Sequence, residues 1–166
     1  MTSTHTITYT RTKTATYVAD KIRGLLSELV RDYGLDPKAL HDSWSISVGE
    51  AARIWMESGH LNTVTIEFYS PGSSDAKARW DFPIRYNPIG VDDLWVDKSF
   101  FRESISKTTA PPAGCIYRVI LNHSPGAPDV SGMSSTDYKN VTHLVARDAG
   151  TVISTPDIYS TARYYR

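Results

Sequence analysis

The chain has 166 residues, with eighteen basic and eighteen acidic side chains and a formal charge of zero, so it has no global electrostatic reason to bind nucleic acid or an anionic membrane. A hydrophobic content of 40 %, with four Trp, ten Tyr and four Phe, excludes disorder for the chain as a whole and suffices for one domain with its own core. Cys115 is the single cysteine, no signal-peptide h-region opens the chain and no run of about 18 apolar residues occurs, which excludes an intramolecular disulfide and sets the expected location as the cytoplasm.

Threonine occupies every even position from Thr2 to Thr16. This period of two predicts a strand over Thr6 to Thr14, with Ile7, Tyr9 and Ala15 opposing a hydroxyl face, and Arg11 and Lys13 marking a sheet edge. Tyr9, Tyr17, Arg11 and Lys13 also fit a nucleic-acid surface, an alternative set aside because sheet edges commonly carry such charges. From Val18 the period becomes about 3.6: Val18, Ile22, Leu25, Leu26, Leu29 and Tyr33 share a helical face that Gly34 closes. A second helix over Asp42 to Ser58 gathers Trp44, Val48, Ala51, Ala52 and Trp55, and Gly59 ends it.

Alternation at Val64, Ile66 and Phe68, the turn "PGSSDA", and alternation at Trp80, Phe82, Ile84 and Tyr86 predict a hairpin. Pro83 has no N–H for a ladder bond and predicts an edge or an irregularity in the second strand. A third helix is expected from Lys98 to Lys107, capped by Asp97, with Phe100, Phe101 and Ile105 inward and Pro111 and Pro112 beyond its end. The β-branched run "CIYRVILN" predicts a strand from Cys115 to Asn122. The tail from His123 to Arg166 contains "SPGAPDVSG", two strand-like pieces, "THLVA" and "TVIST", and the terminus "YSTARYYR". A segment of that length without a helix is either disordered or a functional lid, and its tyrosines and valines favour the lid.

Catalytic signatures are missing: GxGxxG, a P-loop, GxSxG and HExxH do not occur. Cys115 and His123 would stand about 26 Å apart on one strand, too far for a dyad, so Cys115 reads as a buried packing residue. Asp92, Asp93 and Asp97 match no EF-hand spacing and His5, His41, His60, His123 and His143 are scattered, so no metal or other cofactor is expected. Trp44, Trp55, Trp80 and Trp95 read as core anchors.

In order along the chain, "TYTRTKTATYVADKIRGLL" with "YGLDP", "WMESGHLNTVTIEFYSP" with "RWDFPIRY", "WVDKSFFRESISK", "YRVILNHSPGAPDVSGMSST" and "ARYYR" resemble the bacterial HORMA domains found beside cyclic-oligonucleotide synthases in CBASS anti-phage operons. The resemblance implies one α+β domain over residues 1–166, with about three helices on a small antiparallel sheet (1–122) and a C-terminal safety belt (123–166). It further implies a non-enzymatic adaptor. A closure-motif peptide would add as a strand at Cys115, Ile116, Tyr117, Arg118, Val119, Ile120, Leu121 and Asn122, with Tyr138, Tyr159, Tyr164 and Tyr165 anchoring the belt around it. Pro125, Gly126, Pro128 and Gly132 would form the belt hinge. The closed form would activate a CD-NTase, and an AAA+ ATPase would open it by gripping Thr4, Thr6, Thr8, Tyr9 and Thr10; no direct nucleic acid or membrane partner is implied. On this view, removing Asp129 to Arg166 leaves the core folded. An enzyme or small-ligand binder with a pocket under the tail, and a scaffold with a permanently closed tail, are the alternatives.

Overall fold

The computed structural model describes residues 3–86, 95–108 and 110–166, the side chains of residues 3–10, Trp95 and Phe100 excepted. Asp92 and Asp93 of the acidic trio therefore lie outside the described residues. A long first helix, α1 (Ser3–Asp32), leads into α2 (Lys38–Ser43), a π-helical turn (Trp44–Val48) and α3 (Gly49–Glu57). The hairpin of β1 (Leu61–Tyr69) and β2 (Ala76–Tyr86) follows, then the two-residue β3 (Trp95–Val96), α4 (Ser99–Ser106), β4 (Ile116–His123), β5 (Ala146–Ser154) and β6 (Ile158–Tyr165).

The threonine run is helical backbone, which corrects the strand expected over Thr6 to Thr14. Two physical effects override the alternation. A threonine hydroxyl in a helix can bond a carbonyl one turn back, as Thr16 Oγ1 does to Thr12 O (3.0 Å) and Thr14 Oγ1 does to Arg11 O (3.1 Å). Propagating a helix already nucleated by a packed face also costs far less than starting one. That face is as expected: Val18, Ile22, Leu25, Leu26 and Leu29 are fully buried. Gly34 ends the helix at φ +78°, with Leu35 N–H donating back to Val30 O at 2.9 Å.

The second helix is one rod with a widened turn. Gly49 permits that turn, because a Cβ there would meet the Trp44 indole at 2.6 Å. At α4 the residue that flanks Ser99 is Lys98, without a side-chain cap bond, and Asp97, expected as the cap, lies one residue further out, its carboxylate accepting from the Ser99 N–H (2.9 Å) and hydroxyl (2.7 Å).

The sheet is antiparallel, in the order β3-β5-β6-β2-β1-β4. Its helix-facing side carries Val64, Ile66, Phe68, Trp80, Phe82, Ile84, Leu121 and Tyr164, all in the core. Trp80 donates to the Tyr33 hydroxyl (3.0 Å), which donates to Thr108 (2.9 Å), so two large aromatics are buried with their polar atoms satisfied. Pro83 sits in a central strand, and the irregularity it demands is a gap: β2 pairs with β6 at Asp81 and again at Ile84, but at neither Phe82 nor Pro83. Of "THLVA" only Ala146 is strand, since 142–144 form a turn closed by Leu144 N–H to Val141 O. "TVIS" belongs to β5 and "IYSTARYY" is β6, so the end of the tail is part of the sheet.

Candidate functional site: the open edge of β4 and the strap across it

β4 is an edge strand, and the chain that leaves it does not continue alongside. Residues 124–145 run as a strap past the β4 edge, then over the sheet face turned away from the helices, to reach β5 beyond β2 and β6. The strap is fixed first to the helix layer. Ser124 N–H donates to His60 O (2.9 Å), and the Trp55 indole donates to Pro128 O (2.7 Å). Gly126 (φ +86°) and Gly132 (φ +88°), both expected as hinges, adopt the left-handed backbone. Gly132 is doubly required, because a Cβ there would also approach Ser47 Cβ to 3.0 Å.

Beyond the edge the strap is held by a charged buckle. Glu67 on β1 is fully buried on the outer sheet face. Its carboxylate accepts from Arg118 Nε on β4 (2.8 Å) and from the Lys139 N–H of the strap (2.7 Å). Arg118 also donates to the Thr136 hydroxyl (3.0 Å) and to Asp137 O. One guanidinium thus ties β1, β4 and the strap together, with the planar fork that suits arginine for such a role.

Tyr138 lies over the guanidinium of Arg79 (4.3 Å to the ring centre), with Tyr165 also against it (4.9 Å). Burial would pull the Arg79 pKa down, but the bidentate Asp81 partner outweighs it and holds the group above its ordinary range. Lys139 Nζ donates to Ser73 O (2.7 Å), Asn140 forms a parallel bridge to Asp75 between β1 and β2, and His143 Nε2–H donates to Ala76 O (2.7 Å). Reciprocal Val145 and Arg166 backbone bonds complete the crossing.

Between β4 and the strap lies a cavity of about 450 Å³, lined by Val119 to His123, by Trp55 and by strap residues 127–130 and 133–136. Among the described residues no backbone hydrogen bond joins β4 to the strap. The strap therefore encloses the edge without pairing with it, and leaves a slot where the outward amides and carbonyls of β4 can take a strand.

The residues expected at a peptide site divide accordingly. Val119, Ile120, Leu121 and Asn122 line the slot, Ile116 is exposed, and Cys115 is buried just before the strand. Tyr117 turns toward the helices, its hydroxyl donating to Asp36 O (2.6 Å) and accepting from Leu40 N–H (3.1 Å), while burial pushes its pKa up. Arg118 faces the strap. Tyr138 anchors the strap, whereas Tyr159, Tyr164 and Tyr165 lie on β6, with β2 and β1 between them and β4. There Tyr164 stacks on Trp80 at 4.8 Å and fixes the β5–β6 hairpin to the core. Thr4, Thr6, Thr8, Tyr9 and Thr10 lie in the first turns of α1, with side chains outside the described set. Glu67, Arg79, Thr136 and Lys139 carry no local pattern that marks them for this site, and Trp55, expected as a core anchor, is buried and also lines the slot.

No helix among the described residues is long and apolar enough to cross a membrane. The fold is that of several solved structures, at low identity. A chain in a mitotic checkpoint complex matches with TM-score 0.72 and 11 % identity, over 92 % of this chain and 97 % of its own. HTP-1 of C. elegans, solved bound to HTP-3 motif-1, matches with TM-score 0.65 and 11 % identity, over 92 % and 89 %. A chain of the E. coli HORMA:CdnC:Trip13 complex matches with TM-score 0.61 and 15 % identity, over 93 % and 89 %. No curated protein matches by sequence. The model of the family "Bacterial HORMA domain 2" matches residues 1–166, and the chain belongs to that family.

Proposed function

We propose that this protein is a non-enzymatic signalling adaptor that takes a closure-motif peptide as an added strand at β4, under the strap, and in that closed form binds and activates a CD-NTase making a cyclic oligonucleotide in anti-phage defence. The observation that carries the reading is the unpaired β4 edge enclosed by residues 124–145. Each main-chain bond to an added strand is worth about 0.5–1.5 kcal/mol net. The encircling strap adds a barrier to release that those bonds lack. The likeness to the E. coli HORMA:CdnC:Trip13 complex supports the choice of partners, and the closure-motif complexes of the C. elegans relatives support the ligand class. A peptide shifts the strap equilibrium only by preferring the closed state.

The test mixes the purified chain with a CD-NTase from the same genome and follows cyclic product from nucleoside triphosphates. Adding a peptide shown to bind the slot should raise product formation by about tenfold or more, the scale of a two-state shift of a few kcal/mol. Unchanged output with peptide bound would overturn the activator role.

Opening falls to a partner AAA+ ATPase that pulls on the N-terminal segment, here the first turns of α1 and not a detachable strand. Arg11 on α1 ion-pairs with Asp157 in the β5–β6 turn and lies over the Tyr86 ring at 5.4 Å, so unwinding α1 from its start reaches the hairpin that follows the strap. Deleting Thr2 to Thr10 should abolish ATPase-driven opening, read by release of labelled peptide, and leave peptide affinity within about twofold. Equal release rates from the truncated protein would remove the handle.

A further inference from the structure

We infer that the slot selects a strand-forming segment with apolar side chains at alternate positions facing the helix layer and a Lys or Arg placed beside Asp129. The inference rests on β4 being the receiving edge, and it specifies which peptide chemistry that edge takes.

The register of β4 sorts the two walls. Leu121 lies opposite Val64 and Val119 opposite Ile66, and both β1 partners are fully buried in the helix-packed core. These residues therefore point to the helix side, where Trp55 closes the slot and Val130 and Met133 pack against the core. Ile120 and Asn122 lie opposite Thr65 and Thr63, on the outer side, where the Thr136 hydroxyl is bonded to Arg118. One wall is thus apolar, and the other carries an amide and a hydroxyl beside Ile120.

Side chains of an added strand alternate between these walls because a strand has a period of two. The stretch Val119–His123 spans about 13 Å at the usual rise, so roughly five residues of an added strand meet both walls. An unbroken run of apolar residues would place some of its side chains against the Asn122 amide and the Thr136 hydroxyl, with only Ile120 as an apolar neighbour on that side. Polar residues throughout would leave Trp55, Val130 and Met133 facing unmatched groups.

Charge sets the remaining preference. Among the described residues Asp129 is the one Asp, Glu, Lys or Arg lining the slot, with His123 the one histidine, and Asp129 is exposed. The guanidinium of Arg118 is already engaged by Glu67. An acidic side chain would meet like charge at Asp129, and a basic one would meet a partner.

The experiment displays a randomised hexapeptide library to the full-length protein and sequences what is retained. Retained peptides should show apolar residues with a period of two and an excess of Lys or Arg over Asp and Glu. Met133→Asp, at a half-buried strap position, should lower the affinity of the best synthetic peptide by about tenfold or more while leaving the thermal transition in place. Asp129→Lys should invert the charge preference of the retained pool. Tight peptides without the period, or an unchanged charge preference in Asp129→Lys, would overturn the inference and leave β4 as the receiving edge. Retention of no peptide would overturn both.

Discussion

A chain truncated after Pro128 should fail to fold. β5 and β6 place Val152, Ile153, Ile158 and Tyr164 in the buried core. At about 1.5–3 kcal/mol for each large side chain, these four contribute roughly 6–12 kcal/mol. That is comparable with the total stability of a domain, about 5–15 kcal/mol. Truncation also strips β2 of its β6 partner and uncovers Trp80 where Tyr164 stacks on it. Circular dichroism should show no cooperative thermal transition. A transition near that of the full chain would mean that the hairpin is an appendage. Deleting Asp129 to Arg166 therefore cannot separate strap from core, contrary to the expectation from sequence, and point changes in residues 124–145 are the proper probes.

Arg118→Ala should destabilise the protein by about 3 kcal/mol, because it leaves the fully buried Glu67 carboxylate without its ionic partner. For a chain of this size that corresponds to a fall in Tm of roughly 6–12 °C. The strap should respond more than the helices. Amide exchange at Lys139, whose N–H is bonded to Glu67, should accelerate markedly, while exchange at Leu25 and Leu26 tracks only global stability. Arg118→Lys should recover part of the stability but less of the protection, since a lysine lacks the fork that reaches Glu67, Thr136 and Asp137 together. A double-mutant cycle with Glu67→Ala isolates the pair, and a coupling below about 0.5 kcal/mol with unaltered exchange at Lys139 would remove the buckle.

Elements were legible where local pattern and burial agree. The face from Val18 to Tyr33 carries a 3.6-residue period and a glycine stop, the hairpin carries alternation around the turn "PGSSDA", and the strand after Cys115 carries a β-branched run, each in one stretch of chain. The threonine run failed for the converse reason: its alternation is a local signal, and the helix it extends is stabilised by residues further along. Two bends of the strap were visible because a left-handed backbone demands glycine, as at Gly126 and Gly132.

The buckle could not be read in advance. Arg118 and Glu67 are 51 residues apart and Lys139 and Glu67 are 72 apart, and no local pattern links the three. Tyr138, Tyr159, Tyr164 and Tyr165 looked equivalent as anchors. Sheet order sends the last three to β6 and leaves only Tyr138 on the strap.

By itself, then, the sequence determined the apolar helix face from Val18 to Tyr33, the hairpin that follows, the helix before Pro111, the strand after Cys115 and the glycine-marked tail, because these follow from periodicity and backbone sterics within a few residues. The tertiary structure decided that β4 is the free edge, that the tail is half strap and half sheet, and that a buried carboxylate fastens the strap. Those outcomes depend on which strands become neighbours, and pairing between distant strands is set by packing of the whole core.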